Sequence, residues 1–163
     1  MTKKVSIIIS LLLVTAFLFV SSFRVANQNA SEGEKIEWLD FQVGYDKAVK
    51  EKKMILIDSY TDWCGWCKRM DKNTYSDKKI IEKVNANFVA IKLNPELDAR
   101  YMVGEKVMSG YELLLWLGKG RNYGYPTTFF WVAPHKDENV EMAVGYKASK
   151  EFEEMLDYYI SKK

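Results

Sequence analysis

The stretch Met54-Ile55-Leu56-Ile57-Asp58-Ser59-Tyr60-Thr61-Asp62-Trp63-Cys64-Gly65-Trp66-Cys67-Lys68 decides how the rest of the chain folds. Its first half is an apolar run of the kind that forms a buried strand. Its second half holds the 2 cysteines of the 163-residue chain. Lys68-Arg69-Met70-Asp71-Lys72 follows without a breaker, which predicts a helix that Cys64 begins and in which Cys67 lies one turn further on. Strand, loop and helix together bring a dithiol to a helix N-terminus.

That position has chemical consequences. The first N–H groups of a helix lack internal partners and carry partial positive charge, so a thiolate at Cys64 is favoured over a thiol. A thiol of ordinary pKa, about 8.5, is only about 3% ionised at neutral pH; lowering it to about 7 ionises roughly half, for about 2 kcal/mol. Cys64 is the expected nucleophile, and Cys67 the thiol that attacks the resulting mixed disulfide. Three other readings stay open. A structural disulfide closing so short a loop contributes roughly 2 kcal/mol, against about 4.7 for a loop of 100 residues. A zinc site needs four ligands, and beyond the thiols the chain adds the single histidine His135. Two unrelated core thiols would need no helix start.

Asp58 interrupts the apolar run, where an unpaired carboxylate is costly. Either its side chain reaches solvent at the strand's end, or it is a semi-buried acid of raised pKa that takes and returns the Cys67 proton. Lys92 lies in Phe88–Leu93, which also reads as a strand, and is a candidate partner for Asp58. The alternative is a lysine on an exposed face.

Composition is that of a globular domain, 48% hydrophobic, 14% aromatic and 28% charged, with no repeat or low-complexity tract. Lys and Arg number 24 against 22 Asp and Glu. Setting aside Lys3, Lys4 and Arg24, the cations of the first thirty residues, leaves 21 against 22 and a net charge of −1. Such a balance gives no electrostatic footprint for nucleic acid. Lys3 and Lys4 precede the apolar run Val5 to Val20 and the small residues Ser21 and Ser22, the layout of an export signal. Val5 to Phe23 is also close to the roughly 20 residues that span a bilayer, so residues 1–25 read as a cleaved signal or an uncleaved anchor. Both place the domain outside the cytoplasm. Residues 26–34 read as a polar linker and 35–163 as one folded domain.

Within that domain Lys35 to Leu39 suggests an edge strand, Gly44 to Lys53 a helix, and Ser76 or Asp77 a cap for a helix ending at Val84. Tyr111–Leu117 reads as a helix stopped by Gly118 and Gly120. Thr128–Val132 and Val140–Val144 read as strands joined by a hairpin loop carrying His135. A last helix is expected to be capped by Ser149 and to bury Phe152, Met155, Leu156 and Tyr159.

This order, with Cys-x-x-Cys after the second strand, resembles the thioredoxin superfamily from about residue 35 to the end. Ile55 through Lys68 looks like its active-site segment, Ile91-Lys92-Leu93-Asn94 like the strand bearing a lysine near the acid, Gly124-Tyr125-Pro126-Thr127 like its cis-proline loop, and Gly145 falls where the last strand ends in a glycine. Tyr60-Thr61-Asp62-Trp63-Cys64 with Thr74-Tyr75-Ser76-Asp77 is similar to the C-terminal domain of transmembrane thiol:disulfide interchange proteins. The resemblance implies an α/β fold with a central mixed sheet flanked by helices on both faces. It implies a periplasmic thiol:disulfide oxidoreductase without cofactor or metal, in which Cys64 attacks, Cys67 resolves, and Asp58 with Lys92 relays a proton. Trp63, Trp66, Tyr125 and Pro126 would receive disulfide-containing or dithiol proteins, and a membrane protein would donate electrons. Two departures stand out: Trp66 occupies the place of a proline, and an insertion lies between Asn94 and Pro126, at 95–123, whose Tyr111, Trp116 and Tyr123 either shape a partner-binding surface or, as is expected here, extend the core. The rival readings are a Cu(I) chaperone using Cys64, Cys67 and Met70, a disulfide donor, and a peptide-binding module that does not use its thiols.

Overall fold

The computed structural model describes residues 35–136 and 139–162. The expected leader, 1–25, and linker, 26–34, lie outside them. Among the described residues no helix is long and apolar enough to cross a membrane.

The apolar run around Leu56 forms β2, Met54–Ser59, buried along its whole length. It pairs parallel with β3, Phe88–Leu93, and antiparallel with β6, Thr127–Trp131. The short edge strand β1, Trp38–Leu39, lies parallel to β3, and β7, Val140–Val144, runs antiparallel to β6. The result is a mixed sheet of order β1-β3-β2-β6-β7. Burial on both faces is why β2 reads as a continuous apolar run rather than an alternating one.

Successive residues of β2 still point to opposite sides. Ile55 and Ile57, with Ile91 and Trp131, meet Phe41 of α1, Phe41–Glu51, and Leu113 and Leu117 of α4, Gly110–Leu117. Leu56, with Ala90 and Phe130, meets Met70 of α2, Gly65–Asn73, Ile80 of α3, Lys78–Asn87, and Phe152 of α5, Ser149–Ile160. A large side chain so buried contributes about 1.5–3 kcal/mol. This is the expected fold class, an α/β thioredoxin fold.

Several expectations are corrected. α1 starts at Phe41, ahead of Gly44, because the Asp40 carboxylate caps it by accepting the Gln42 N–H. Gly44 instead lets the helix lie close to β3: a Cβ there would sit 2.4 Å from Ile91. α3 is capped by Asp77 and runs on to Asn87 rather than stopping at Val84, the chain passing directly into β3. Ser149 does not cap α5; Ala148 holds that position without a side-chain bond. The Ser149 hydroxyl donates to the Asn73 carbonyl at 2.8 Å, satisfying the end of α2. The expected buried stripe of α5 holds for Phe152, Leu156 and Tyr159, with Met155 half-buried.

The insertion contains a hairpin that the sequence reading left unassigned: β4, Arg100–Val103, paired with β5, Lys106–Ser109. Its buried Tyr101, Val103 and Met108 join the core. Of the three aromatic residues expected to extend the core, Trp116 does so, its ring 5.5 Å from that of Trp131. Tyr111 and Tyr123 are 52% and 43% exposed.

Candidate functional site

The site forms where β2 and β3 end. Cys64 occupies the N-cap of α2 with extended backbone. Its N–H donates to the Thr61 carbonyl at 3.1 Å, and its Sγ accepts the Cys67 N–H at 3.1 Å. The structure thus meets the sequence expectation that Cys64 opens the helix and Cys67 lies a turn inside it. The two sulfurs form a disulfide. Both cysteines are buried, and Cys67 shares the inner face of α2 with Met70. Met70 is fully buried in the core beside Leu56, so the third soft ligand of the copper reading is committed to packing. Among the described residues no cluster of His, Cys, Asp and Glu is placed to hold a metal ion.

Asp58 points from β2 to the face covered by α2, as Leu56 does. It is 1% exposed, which excludes the reading that places it in solvent. Its register neighbours are Lys92 on β3 and Thr128 on β6. Lys92 Nζ lies 2.6 Å from one carboxylate oxygen, and the Tyr75 hydroxyl donates to the other at 3.1 Å. The same hydroxyl is 3.1 Å from Thr128 Oγ1. Burial raises the Asp58 pKa above the ordinary carboxylate value, and the pull of Lys92 and the Tyr75 bond does not cancel it.

Lys92 also contacts Asp71 of α2, and its ammonium sits 4.8, 5.1 and 5.3 Å from the ring centres of Trp38, Tyr60 and Tyr75. Burial alone would lower its pKa, but attraction and bonding from Asp58, then Asp71, outweigh that and raise it. The two shifts are compatible because the carboxylate has lost all its water, whereas the ammonium lines a cleft of about 470 Å³ with Trp38, Asp71 and Tyr75. Tyr75, Asp71 and Trp38 escaped the sequence reading. Asp71 carried a signal, being one turn beyond Cys67; Tyr75 lay in a stretch that carries part of the resemblance and a helix cap, neither of which points to a contact with Asp58.

The Tyr125–Pro126 peptide is cis. The Pro126 carbonyl accepts the Gly145 N–H at 2.8 Å, and Gly145 has the positive φ of 79° that a residue with a side chain rarely adopts. Tyr125 meets Trp63 edge to face at 5.8 Å. The Trp63 indole N–H also reaches both carboxylate oxygens of Glu96, at 3.0 and 3.1 Å. Trp66 turns elsewhere, with Tyr146 at 5.7 Å and the Arg69 guanidinium 5.1 Å from its ring centre. The two tryptophans are 67% and 53% exposed, so the structure joins Trp63 with Tyr125 but keeps Trp66 in a separate group.

A Cys-x-x-Cys disulfide at the start of a helix, above a five-stranded mixed sheet, defines a thioredoxin-fold protein with the features of a thiol–disulfide oxidoreductase. The chain belongs to the Thioredox_DsbH family, whose model, described as a protein of unknown function, DUF255, matches residues 24–158. It is 27% identical over 103 residues to Spermatogenesis-associated protein 20 of Mus musculus, covering 58% of this chain and 13% of that protein. It is 29% identical over 76 residues to the thiol:disulfide interchange protein DsbD of Pseudomonas sp., covering 45% of this chain and 13% of the relative. The matches span only 11% to 13% of Spermatogenesis-associated protein 20 from mouse, rat and human. A thioredoxin from Thermus thermophilus shares the fold with a TM-score of 0.62 at 21% identity, over 78% of this chain and 89% of that one.

Proposed function

We propose that this protein is an exported thiol:disulfide oxidoreductase that reduces disulfides in extracytoplasmic proteins. The observation that carries the reading is the Cys64–Cys67 pair at the N-terminus of α2, with buried Asp58 on the sheet face that the same helix covers. The Cys64 thiolate attacks a partner disulfide, forming a mixed disulfide and releasing one partner sulfur. Cys67, giving its proton to Asp58, attacks Cys64 and frees the second. Two electrons pass to the partner, the Cys64–Cys67 disulfide forms, and Asp58 then loses its proton to water in the adjoining cleft, the Lys92 ammonium holding the carboxylate that results. Trp63, Trp66, Tyr125 and the backbone at Pro126 receive the extended partner segment.

The reducing direction is favoured by the residues around Cys64. Strong oxidants stabilise their thiolate further, often with a histidine between the cysteines; here Trp66 stands there and Asp62 opposes a second negative charge. A dithiol that exchanges with partner disulfides does not stay reduced outside the cytoplasm unless it is fed, so a membrane electron donor is part of the proposal. Export rests on Lys3, Lys4 and the apolar run after them, whether removed or kept as a tether.

Equilibration against glutathione or dithiothreitol tests the direction. A reduction potential near about −270 mV is expected, with insulin reduction that Cys64→Ser abolishes; a value near about −120 mV would make the protein a disulfide donor. A tight stoichiometric Cu(I) complex without insulin reduction would overturn the redox reading.

A further inference from the structure

α2 presents a row of cations that starts directly after Cys67 and runs to its last turn. Lys68, Arg69 and Lys72 are all exposed, and among the described residues none lies within ion-pair distance of a carboxylate. Asp71, the acid of the same helix, holds Lys92, and Glu96, at the site, holds Trp63. Asp62, in the loop before Cys64, is the opposing charge that remains there. The cations are not what a basic chain would scatter at random, because the sequence beyond residue 30 has 21 basic against 22 acidic residues. Helix stability accounts for only one of them: Lys72, in the last turn of α2, suits the negative end of the helix dipole. The first turn of α2 holds no acid, Lys68 follows directly after it, and Lys68 and Lys72 repel at a spacing of one turn. Arg69 is held over Trp66, itself 53% exposed, so one cation is fixed on the rim of the site.

We infer that the partner of this dithiol carries carboxylates next to its own disulfide, on the side that meets α2. The inference rests on the exchange reading above, since a sulfur reaching Cys64 must bring its flanking residues against this helix. Charges at the rim of a contact act on encounter rate and specificity. In each turnover Cys64 opens the partner's S–S bond, Cys67 closes the intramolecular disulfide, and the partner leaves as a dithiol with the two protons the cysteines gave up.

The test uses the reduced full chain and three matched peptides, each with one disulfide flanked by glutamates, lysines or glutamines. Tryptophan fluorescence follows oxidation of the protein in a single turnover. The glutamate peptide is expected to react about tenfold faster than the lysine peptide at low salt, the ratio shrinking as added salt shortens the reach of charge. A K68E/K72E double variant should reverse the ranking, a ratio taken within one sample and so insensitive to general loss of activity. Equal rates, a preference for lysine, or a glutamate preference unchanged in the double variant would overturn the inference and leave the exchange reading standing. If no peptide reacts, the exchange reading fails and takes the inference with it.

Discussion

Lys92 Nζ lies 2.6 Å from Asp58 Oδ2, beneath the helix that carries both cysteines. The pair is asymmetric: the Asp58 carboxylate is 1% exposed, whereas the Lys92 side chain is 19% exposed and has Asp71 as a second acid. A carboxylate so placed ionises reluctantly, and the lysine that holds it lines a cleft that solvent can reach.

Asp58→Asn removes the proton acceptor of the proposed mechanism while keeping the shape. Release of the partner from the mixed disulfide should slow about 100-fold at neutral pH, the low end for general acid–base catalysis, as read in single-turnover traces. Stability should move the other way. The folded protein holds the Asp58 proton to higher pH than the unfolded chain, so wild type loses stability as pH rises from 3.8, the ordinary value, through the raised folded pKa. The variant has no such loss. Urea midpoints of the two oxidised proteins should diverge in favour of Asn across that window, and parallel curves would refute the buried-acid account.

Lys92→Met leaves Asp58 with only the Tyr75 hydroxyl. Breaking a buried ion pair costs about 3–5 kcal/mol, and because Asp58 can protonate instead, about 3 kcal/mol is expected at neutral pH. The deficit should shrink in acid, where a protonated Asp58 needs no cation. Chemical unfolding at pH 4 and pH 8 distinguishes this from a loss of packing, which would be the same at both.

Glu96→Ala releases the Trp63 indole from the insertion. Trp63 is exposed, so stability should change by less than about 0.5 kcal/mol. KM for a protein disulfide should rise severalfold with kcat little changed, and Glu96→Gln, which retains an acceptor oxygen, should recover most of the effect. An unchanged KM would mean that Trp63 does not contact the partner.

Gly110→Ala probes how the insertion is fastened. A Cβ there would lie 2.9 Å from both Cα and O of Pro95. Backbone cannot yield as a flexible side chain does, so overpacking by about 1–3 kcal/mol should exceed the roughly 1 kcal/mol that alanine gains over glycine in a helix. The melting temperature should fall, and an unchanged or raised value would show that the loop moves aside.

The strand-loop-helix of residues 54–68 was legible in the sequence because its determinants are local. A run buried on both faces, a break, and a helix with a cysteine at its start need no distant partner to be read. The same holds for β3, for the α4 helix and for the proline that opens β6. The edges of elements were less legible: the Asp40 carboxylate starts α1 ahead of Gly44, Ala148 holds the cap of α5 without a side-chain bond, and Ser149 is diverted to the carbonyl of Asn73 by a contact between distant segments.

What the sequence by itself determined is the chemistry on offer: two thiols one helical turn apart, an acid in an apolar strand, and a lysine in the next. Only the tertiary structure decided who meets whom. Parallel pairing in register sets Asp58 opposite Lys92, and the turn after α2 brings Tyr75 onto Asp58. The insertion carries Glu96 to Trp63, while Trp66 goes to Tyr146. These pairings join residues far apart in the chain, and their geometry follows from strand register and helix packing, which no local pattern of residues encodes.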